Sequence, residues 1–386
     1  MAKPLAGIRV LDLSHVIAGP LASFYLAQLG AEVIKVETPH GGEVMRSQAG
    51  FTALNAGKRS LAVDIRAPQG ADAVRELAKS ADVFIENFRP GVVKRYGLDY
   101  EAIRRIRPDV VYCSISGYGQ QGEWSGRGAY DHVVQALTGM MMQAGERPGD
   151  PPVKVGFPVI DVAAGMLSAL AIVAALRRRD RDGDGQYIDS SMVQASLMLM
   201  YPLVSACLTT GKDPQRLGNR GFSGSPTADT YRCTDGWLAT AANTPPQFRQ
   251  LTRVLGLESL CDDRRALDLE NFNAVNGGFV AANDLDYLRA KLHAAFAQRS
   301  AAAMEIELNA AGVPAARVRG MGEFLAEAPG RVTLPMSEFP QRGDDAVKTC
   351  GLGFELAQDG QAEPRGAPEL GADNAELLSP GASGRA

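Results

Sequence analysis

Gly7-Ile-Arg-Val-Leu-Asp-Leu13 and Ala31-Glu-Val-Ile-Lys-Val-Glu37, with residues 20–29 and Gly30 between them, decide the fold of this chain. The two outer runs are short, apolar and rich in β-branched residues, as buried strands are. The middle run spans about three helical turns and stops at a glycine. Together they predict a βαβ unit. The alternation continues with strands at 60–64, 83–86 and 110–115 and helices through 73–79 and 100–106. Alternation of this kind predicts an α/β protein whose large domain is a doubly wound, Rossmann-like parallel sheet covered on both faces.

Farther along, a long helix starts at Asp161, residues 186–190 read as a strand, and residues 191–209 read as a second long helix bent at Pro202. Residues 216–224 are rich in glycine and serine, which marks a linker or lid. Residues 225–325 then read as a second, smaller α/β domain, with a strand at 236–241 and a helix that places Leu285, Leu288, Leu292 and Phe296 on one face. The large domain is expected to comprise residues 1–215, completed by the C-terminal segment 330–386, with 379–386 frayed. Two domains also suit a length of 386 residues.

Composition narrows the function. With 45% hydrophobic and 22% charged residues and a formal net charge of -4, the chain has no long-range attraction to nucleic acid or to an anionic membrane. Cys113, Cys207, Cys233, Cys261 and Cys350 lie far apart with no C-x-x-C pair, so reduced thiols and no zinc site are expected. Arg9 and Asp12 interrupt the first apolar stretch, which argues against a secretory signal. The apolar run 162–176, broken by Gly165 and Ser168, is shorter than the roughly 20 residues of a membrane span. A cytoplasmic location is the expectation.

The first βα turn, Ser14-His-Val-Ile-Ala-Gly-Pro20, lacks the G-x-G-x-x-G that lets a backbone approach a pyrophosphate. A nicotinamide dehydrogenase is therefore disfavoured, while another nucleotide-like ligand at the switch point of the sheet stays open. Val155-Gly-Phe-Pro-Val-Ile-Asp-Val-Ala-Ala-Gly165 sets a lone carboxylate, Asp161, where a loop meets an apolar helix. Position alone reads it as a helix cap. The same backbone amides also favour an anion, which suits a carboxylate nucleophile with an oxyanion forming beside it. Asp180, Asp182, Asp184 and Gly185 imitate an EF-hand, but Ser191 stands where the bidentate glutamate is needed, so this is a helix-to-strand turn.

Seven blocks in order carry a resemblance: Ala18-Gly-Pro20, Leu29-Gly-Ala-Glu-Val-Ile-Lys-Val-Glu37, Asn55-Ala-Gly-Lys-Arg-Ser60, Asp82-Val-Phe-Ile-Glu-Asn-Phe-Arg-Pro-Gly91, Ser116-Gly-Tyr-Gly119, Gly156-Phe-Pro-Val-Ile-Asp161 with Gly165, and Ala311-Gly-Val-Pro314. In them the chain resembles, along nearly its whole length, the class III CoA-transferases (CaiB/BaiF), the family of formyl-CoA transferase and carnitine CoA-transferase. The resemblance implies that Asp161 is the nucleophile and that Asn87, Phe88 and Arg95 help hold CoA, Phe88 by stacking on adenine and Arg95 by meeting phosphate. It also implies that Val16, Ile17, Ala18 and Val63 line the CoA channel, with Tyr130 among the CoA contacts. Gly221 to Gly224 would form a lid, and two chains would form an intertwined homodimer.

The activity so implied is transfer of CoA from an acyl-CoA to a free carboxylic acid, through an aspartyl anhydride and an aspartyl-CoA thioester. It needs no resident cofactor and no metal. Thr38 stands where formyl-CoA transferase has a basic residue and Ile17 where it has glutamine, and the loss of that glutamine weakens the case for formyl or oxalyl groups; succinyl-CoA with a small dicarboxylic acceptor is the expectation. A 2-methylacyl-CoA racemase of the same fold is the first alternative. It needs a histidine before an aspartate, whereas this chain reads Ala129-Tyr130-Asp131 with His132 two places late. A CoA-binding protein without turnover is the second.

Overall fold

The structure is a computed structural model; it describes residues 3–147, 149–221, 225–274, 278–333, 336–340, 346–357 and 365–379. The chain divides into two compact units, the first comprising Met1–Met141, Lys154–Asp213 and Leu334–Ala386, the second Met142–Val153 and Pro214–Thr333.

In the first unit, β1 (Arg9–Asp12), α1 (Ala18–Gln28) and β2 (Glu32–Glu37) form the βαβ opening, followed by α2 (Ala49–Asn55), β3 (Arg59–Ala62), α3 (Pro68–Ala78), β4 (Val83–Glu86), α4 (Tyr100–Ile106) and β5 (Val111–Ser116). After α5 (Asp131–Leu137) come α6 (Val159–Asp182), β6 (Gln186–Ser191), α7 (Met192–Leu199) and α8 (Tyr201–Thr210). All six strands pair in parallel in the order β3-β2-β1-β4-β5-β6. That is the order of a doubly wound sheet, and its switch point falls between β1 and β4.

Alternate strand residues feed two cores. Val10, Val33, Ile85 and Cys113 pack with α1 and α6, whereas Leu11, Ile34, Phe84 and Tyr112 pack with α3 and α4. Both faces being covered explains why the strands read as unbroken apolar runs. The edge strand β3 is finished by the C-terminal segment: Asp373 accepts the Ser60 N–H at 2.8 Å, and Asn374 accepts the Ala62 N–H at 2.8 Å and donates to its carbonyl at 3.1 Å. Side chains thus take the place of a seventh strand.

The second unit holds β7 (Asp229–Cys233), β8 (Gly236–Thr240), α9 (Pro245–Leu255), α10 (Leu269–Asn273), α11 (Leu285–Phe296), α12 (Ala301–Ala310), β9 (Ala315–Arg317) and α13 (Met321–Glu327). Its three strands are antiparallel in the order β7-β8-β9, over a core that includes Tyr231, Phe248, Phe272 and Phe296. Returning to the first unit, β10 (Met336–Pro340) and β11 (Ala346–Cys350) make a hairpin, and α14 (Asn374–Leu377) closes the described chain.

Three details depart from the sequence reading. Segment Met142–Val153 lies within residues 1–215 yet packs with the second unit, because the buried Arg216 guanidinium donates to the carbonyls of Met142 and Asp150. The run after Ser191 is not one helix bent at Pro202 but two, α7 and α8, which meet at Met200 at 87°. Pro202 sits in the first turn of α8, where its missing N–H costs nothing. Helix α6 starts at Val159, two residues before Asp161, and at 24 residues is long and apolar enough by composition to cross a membrane, although Ile160, Ala164, Gly165, Ile172 and Leu176 are buried within the unit. Of the expected lid, residues 222–224 lie outside the described residues, as do 380–386 of the tail.

Candidate active site

The carboxyl ends of the parallel strands carry two cavities on either side of the switch point. The first, about 400 Å³, is walled by the loops after β1, β2, β3 and β4 and includes Glu37, Thr38, Glu43, Val63, Arg66 and Tyr96. The second, about 340 Å³, includes Val16, Ile17, Ala18, Asn87, Arg127, Tyr130 and Asp161. His15, Phe88 and Val92 line both. The geometry therefore offers one molecule two adjoining compartments.

Close packing brings Asp161 here. A Cβ on Gly165 would stand 2.7 Å from the Ala18 carbonyl oxygen, so only glycine lets α6 approach the start of α1 this closely. Gly19 does the same on the other side, since a Cβ there would overlap the Ser14 side chain at 2.1 Å. These two glycines set the N-termini of α1 and α6 against one cavity.

Asp161 is the third residue of α6 and caps nothing: the N-cap position is Pro158, and no side chain there bonds to the helix. The capping role read from the sequence falls instead to Asp131, whose Oδ2 accepts the N–H groups of Ile160 at 2.6 Å and Asp161 at 3.1 Å. Gln135 donates to Asp131 Oδ1 at 2.5 Å and accepts the Val155 N–H at 2.9 Å, which ties the approach to α6 to α5. The Asp161 carboxylate itself has no hydrogen bond or ion pair among the described residues. Burial, with the nearby Asp131 carboxylate second, pushes its pKa up to about 6. It remains largely ionised at neutral pH, without a donor among the described residues to satisfy it.

Asn87 is less a ligand contact than a brace. Its carboxamide oxygen accepts the His15 N–H at 2.9 Å and its nitrogen donates to the His15 carbonyl at 2.8 Å, so the loops after β1 and β4 are locked together. Phe88 packs 5.3 Å from the His15 ring, and its backbone N–H is held by Glu86 at 2.9 Å. Burial keeps His15 below its ordinary pKa, with Lys35 acting in the same direction, so the imidazole is neutral. Val16 has φ +69, the only non-glycine residue with positive φ among those described. Arg95 lines neither cavity; it is exposed, 5.8 Å from the ring of Tyr96, which does line the first. His132 is exposed on α5 and outside the Asp161 cavity, so it makes no acid–base pair there.

Sequence reading passed over Asp131, Glu43, Arg66, Arg89 and Arg127, all beside these cavities or bonded to their walls. A faint signal existed for Asp131: an acid followed four places on by Gln135 at the head of a helix.

A doubly wound sheet with an unpaired carboxylate at its switch-point crevice is a setting that suits group transfer on a nucleotide-bearing substrate. The chain belongs to CoA-transferase family III, whose pattern it matches over residues 5–374. It is 40% identical over 277 residues to the succinate–glutarate CoA-transferase of Agrobacterium fabrum, covering 68% of this chain and 69% of that one. It is 32% identical over 385 residues to the acetyl-CoA:oxalate CoA-transferase of Acetobacter aceti, covering 97% and 95%. Its fold is similar to a CaiB/BaiF family protein from Brucella suis, with TM-score 0.81, 30% identity, and 98% and 99% of the two chains covered. The chain is thus an acyl-CoA:carboxylate CoA-transferase.

Proposed function

We propose that Asp161 is the nucleophile and that this chain passes CoA from succinyl-CoA to a short dicarboxylic acid. The observation that carries the reading is the Asp161 carboxylate itself, half-buried and without a partner among the described residues, in a cavity that adjoins a nucleotide-sized one. The adenosine end of CoA would occupy the first cavity, with Val63 and Phe88 against the base. The pantetheine arm would run past Val16, Ile17 and Ala18 toward Asp161, with Asn87 and Tyr130 as further walls and Arg95 outside the rim. The dicarboxylic preference is supported by the cationic Arg89 and Arg127 in the Asp161 cavity and by the names of the relatives.

The carboxylate of Asp161 attacks the thioester carbonyl, forming a mixed anhydride and releasing CoA thiolate. The thiolate attacks the aspartyl carbonyl, the donor acid leaves, and an aspartyl-CoA thioester remains. An acceptor carboxylate attacks that thioester, and the thiolate released then takes the acceptor's acyl carbon, which regenerates Asp161. A thioester is exchanged for a thioester, so the free-energy change is small. The backbone amides of Ile17 and Ala18, at the start of α1 and in the wall of the same cavity, would supply donors for the oxyanion.

A homodimer is part of the proposal. Helix α8 buries none of its ten residues within one chain, although Tyr201, Leu203, Val204 and Leu208 are apolar. On α6 and α7, Met166, Leu170, Met198 and Leu199 are exposed as well. A second copy would cover them.

The test is to incubate the protein with a panel of acyl-CoA donors, quench with hydroxylamine or borohydride, and map the modified peptide. An adduct on Asp161 that needs succinyl-CoA and is lost in Asp161→Ala supports the reading. Undiminished CoA transfer by Asp161→Ala overturns it. Sedimentation of the intact chain reports the dimer.

A further inference from the structure

Beneath the β1–α1 turn lies a set of buried charges that the transfer chemistry does not use. Glu43 is the member that reaches the site. Its side chain is 6% exposed; Oε2 accepts the Val16 N–H at 3.0 Å and the Lys35 ammonium at 3.4 Å, and that ammonium also donates to the Ser14 carbonyl at 2.9 Å. The other oxygen, Oε1, is buried without a hydrogen bond among the described residues. A carboxylate oxygen left in that state opposes folding, so its retention asks for a reason. The loop that carries Glu43 is itself held, because Glu37 accepts the Glu43 N–H at 3.1 Å and Arg46 Nε at 3.0 Å.

What Glu43 grips is the Val16 peptide. A β-branched residue at φ +69 is strained and holds that conformation only where its surroundings impose it. Val16 lines the Asp161 cavity, and Glu43 lines the adjoining one. We propose that Glu43 is a positioning residue for the transfer reaction: it holds the strained Val16 peptide in place and so fixes the wall shared by the two cavities. This rests on reading those cavities as the CoA site. The competing account makes Glu43 only a buried counter-ion for Lys35.

The two accounts separate in a double-mutant cycle that combines Glu43→Ala or Glu43→Gln with Val16→Gly. The readouts are the Kd of CoA by calorimetry, kcat/KM with succinyl-CoA, and Tm. Glu43→Ala is expected to weaken CoA binding about tenfold, the scale of a lost charge-assisted hydrogen bond. Glu43→Gln keeps an oxygen that can accept the Val16 N–H and is expected to stay within about threefold. Glycine adopts positive φ unaided, so in the Val16→Gly background the alanine loss should shrink to about twofold. Equal losses in both backgrounds, or a glutamine variant as damaged as alanine, overturn the proposal in favour of the counter-ion role. If the alanine variant does not fold, Glu43→Leu fills the space without an acceptor and takes its place in the cycle. A wild-type chain that binds CoA but transfers none sinks the transfer reading, while the coupling is still measured in Kd.

Discussion

The head of α6 holds a half-buried aspartate and the floor beneath the β1–α1 turn a fully buried one, and the two carboxylates are driven in opposite directions. At Asp161 burial is unopposed and Asp131 adds to it, so the pKa rises to about 6. At Asp12 burial acts the same way, yet the Lys58 and Lys35 ammoniums and the Ser14 and Ser23 hydroxyls outweigh it and hold the pKa near about 2. Lys58 lies 3.0 Å from Asp12 and also donates to Ser23 and Asn55. Depth is thus a poor guide to role. A buried carboxylate with its full set of donors is held as scaffold, whereas one without them keeps a raised pKa and an open coordination sphere.

The sharpest break of this comparison is Asp161→Asn. If Asp161 is the nucleophile as proposed, turnover should fall by at least about 10³-fold while CoA binding persists, because the nucleotide does not depend on that carboxylate. Folding must also respond. A raised carboxyl pKa stabilises the fold below the unfolded value, and that stabilisation disappears as pH rises through about 6, so the ionised aspartate is a burden at pH 7.5. The asparagine variant should therefore melt higher there, by the equivalent of about 1–3 kcal/mol. A lower Tm at that pH contradicts the account.

Asp12→Asn should do the reverse. It leaves Lys58 buried beside a neutral amide and should cost about 3–5 kcal/mol in denaturant titration. The depressed pKa of Asp12 contributes stability above its unfolded value that is lost as pH falls through about 2, so acid unfolding of the wild type should have a component there that the variant lacks. Unchanged stability would show that the floor is not held by this pair.

Gly165→Ala tests the contact that sets α1 against α6. Its Cβ would press on the Ala18 carbonyl, so a loss of about 1–3 kcal/mol is expected, with kcat reduced through displacement of Asp161. Full activity in the alanine variant removes the requirement for close approach. The smallest effect is on pH: kcat/KM should rise through about pH 6 to a plateau near 7, as Asp161 ionises, and Asp131→Asn should move that step to lower pH. A step that ignores Asp131 belongs to another group.

Much of the fold was legible in the chain, and for local reasons. The strands of the βαβ unit announced themselves because a sheet covered on both faces demands continuous apolar runs, and Gly30 marked the end of α1. Asp161 was legible as an aspartate at a helix start, and the family blocks are what propose it as the nucleophile. Its capping role was misread because the residue that caps α6, Asp131, lies 30 positions away in sequence. Pro202 was read as a bend for a similar reason: proline permits a break, but tertiary packing places it, here at Met200.

The order of apolar runs, turns and glycines determined, without any coordinates, a doubly wound sheet with a carboxylate at the head of an apolar helix, because secondary structure and its alternation follow from short-range periodicity. Only the tertiary structure decided which aspartate is left without donors, which glycine lets two helices meet, and which distant glutamate bonds to the strained turn. Those outcomes depend on the groups that folding brings within a few ångströms, and local spacing does not contain them.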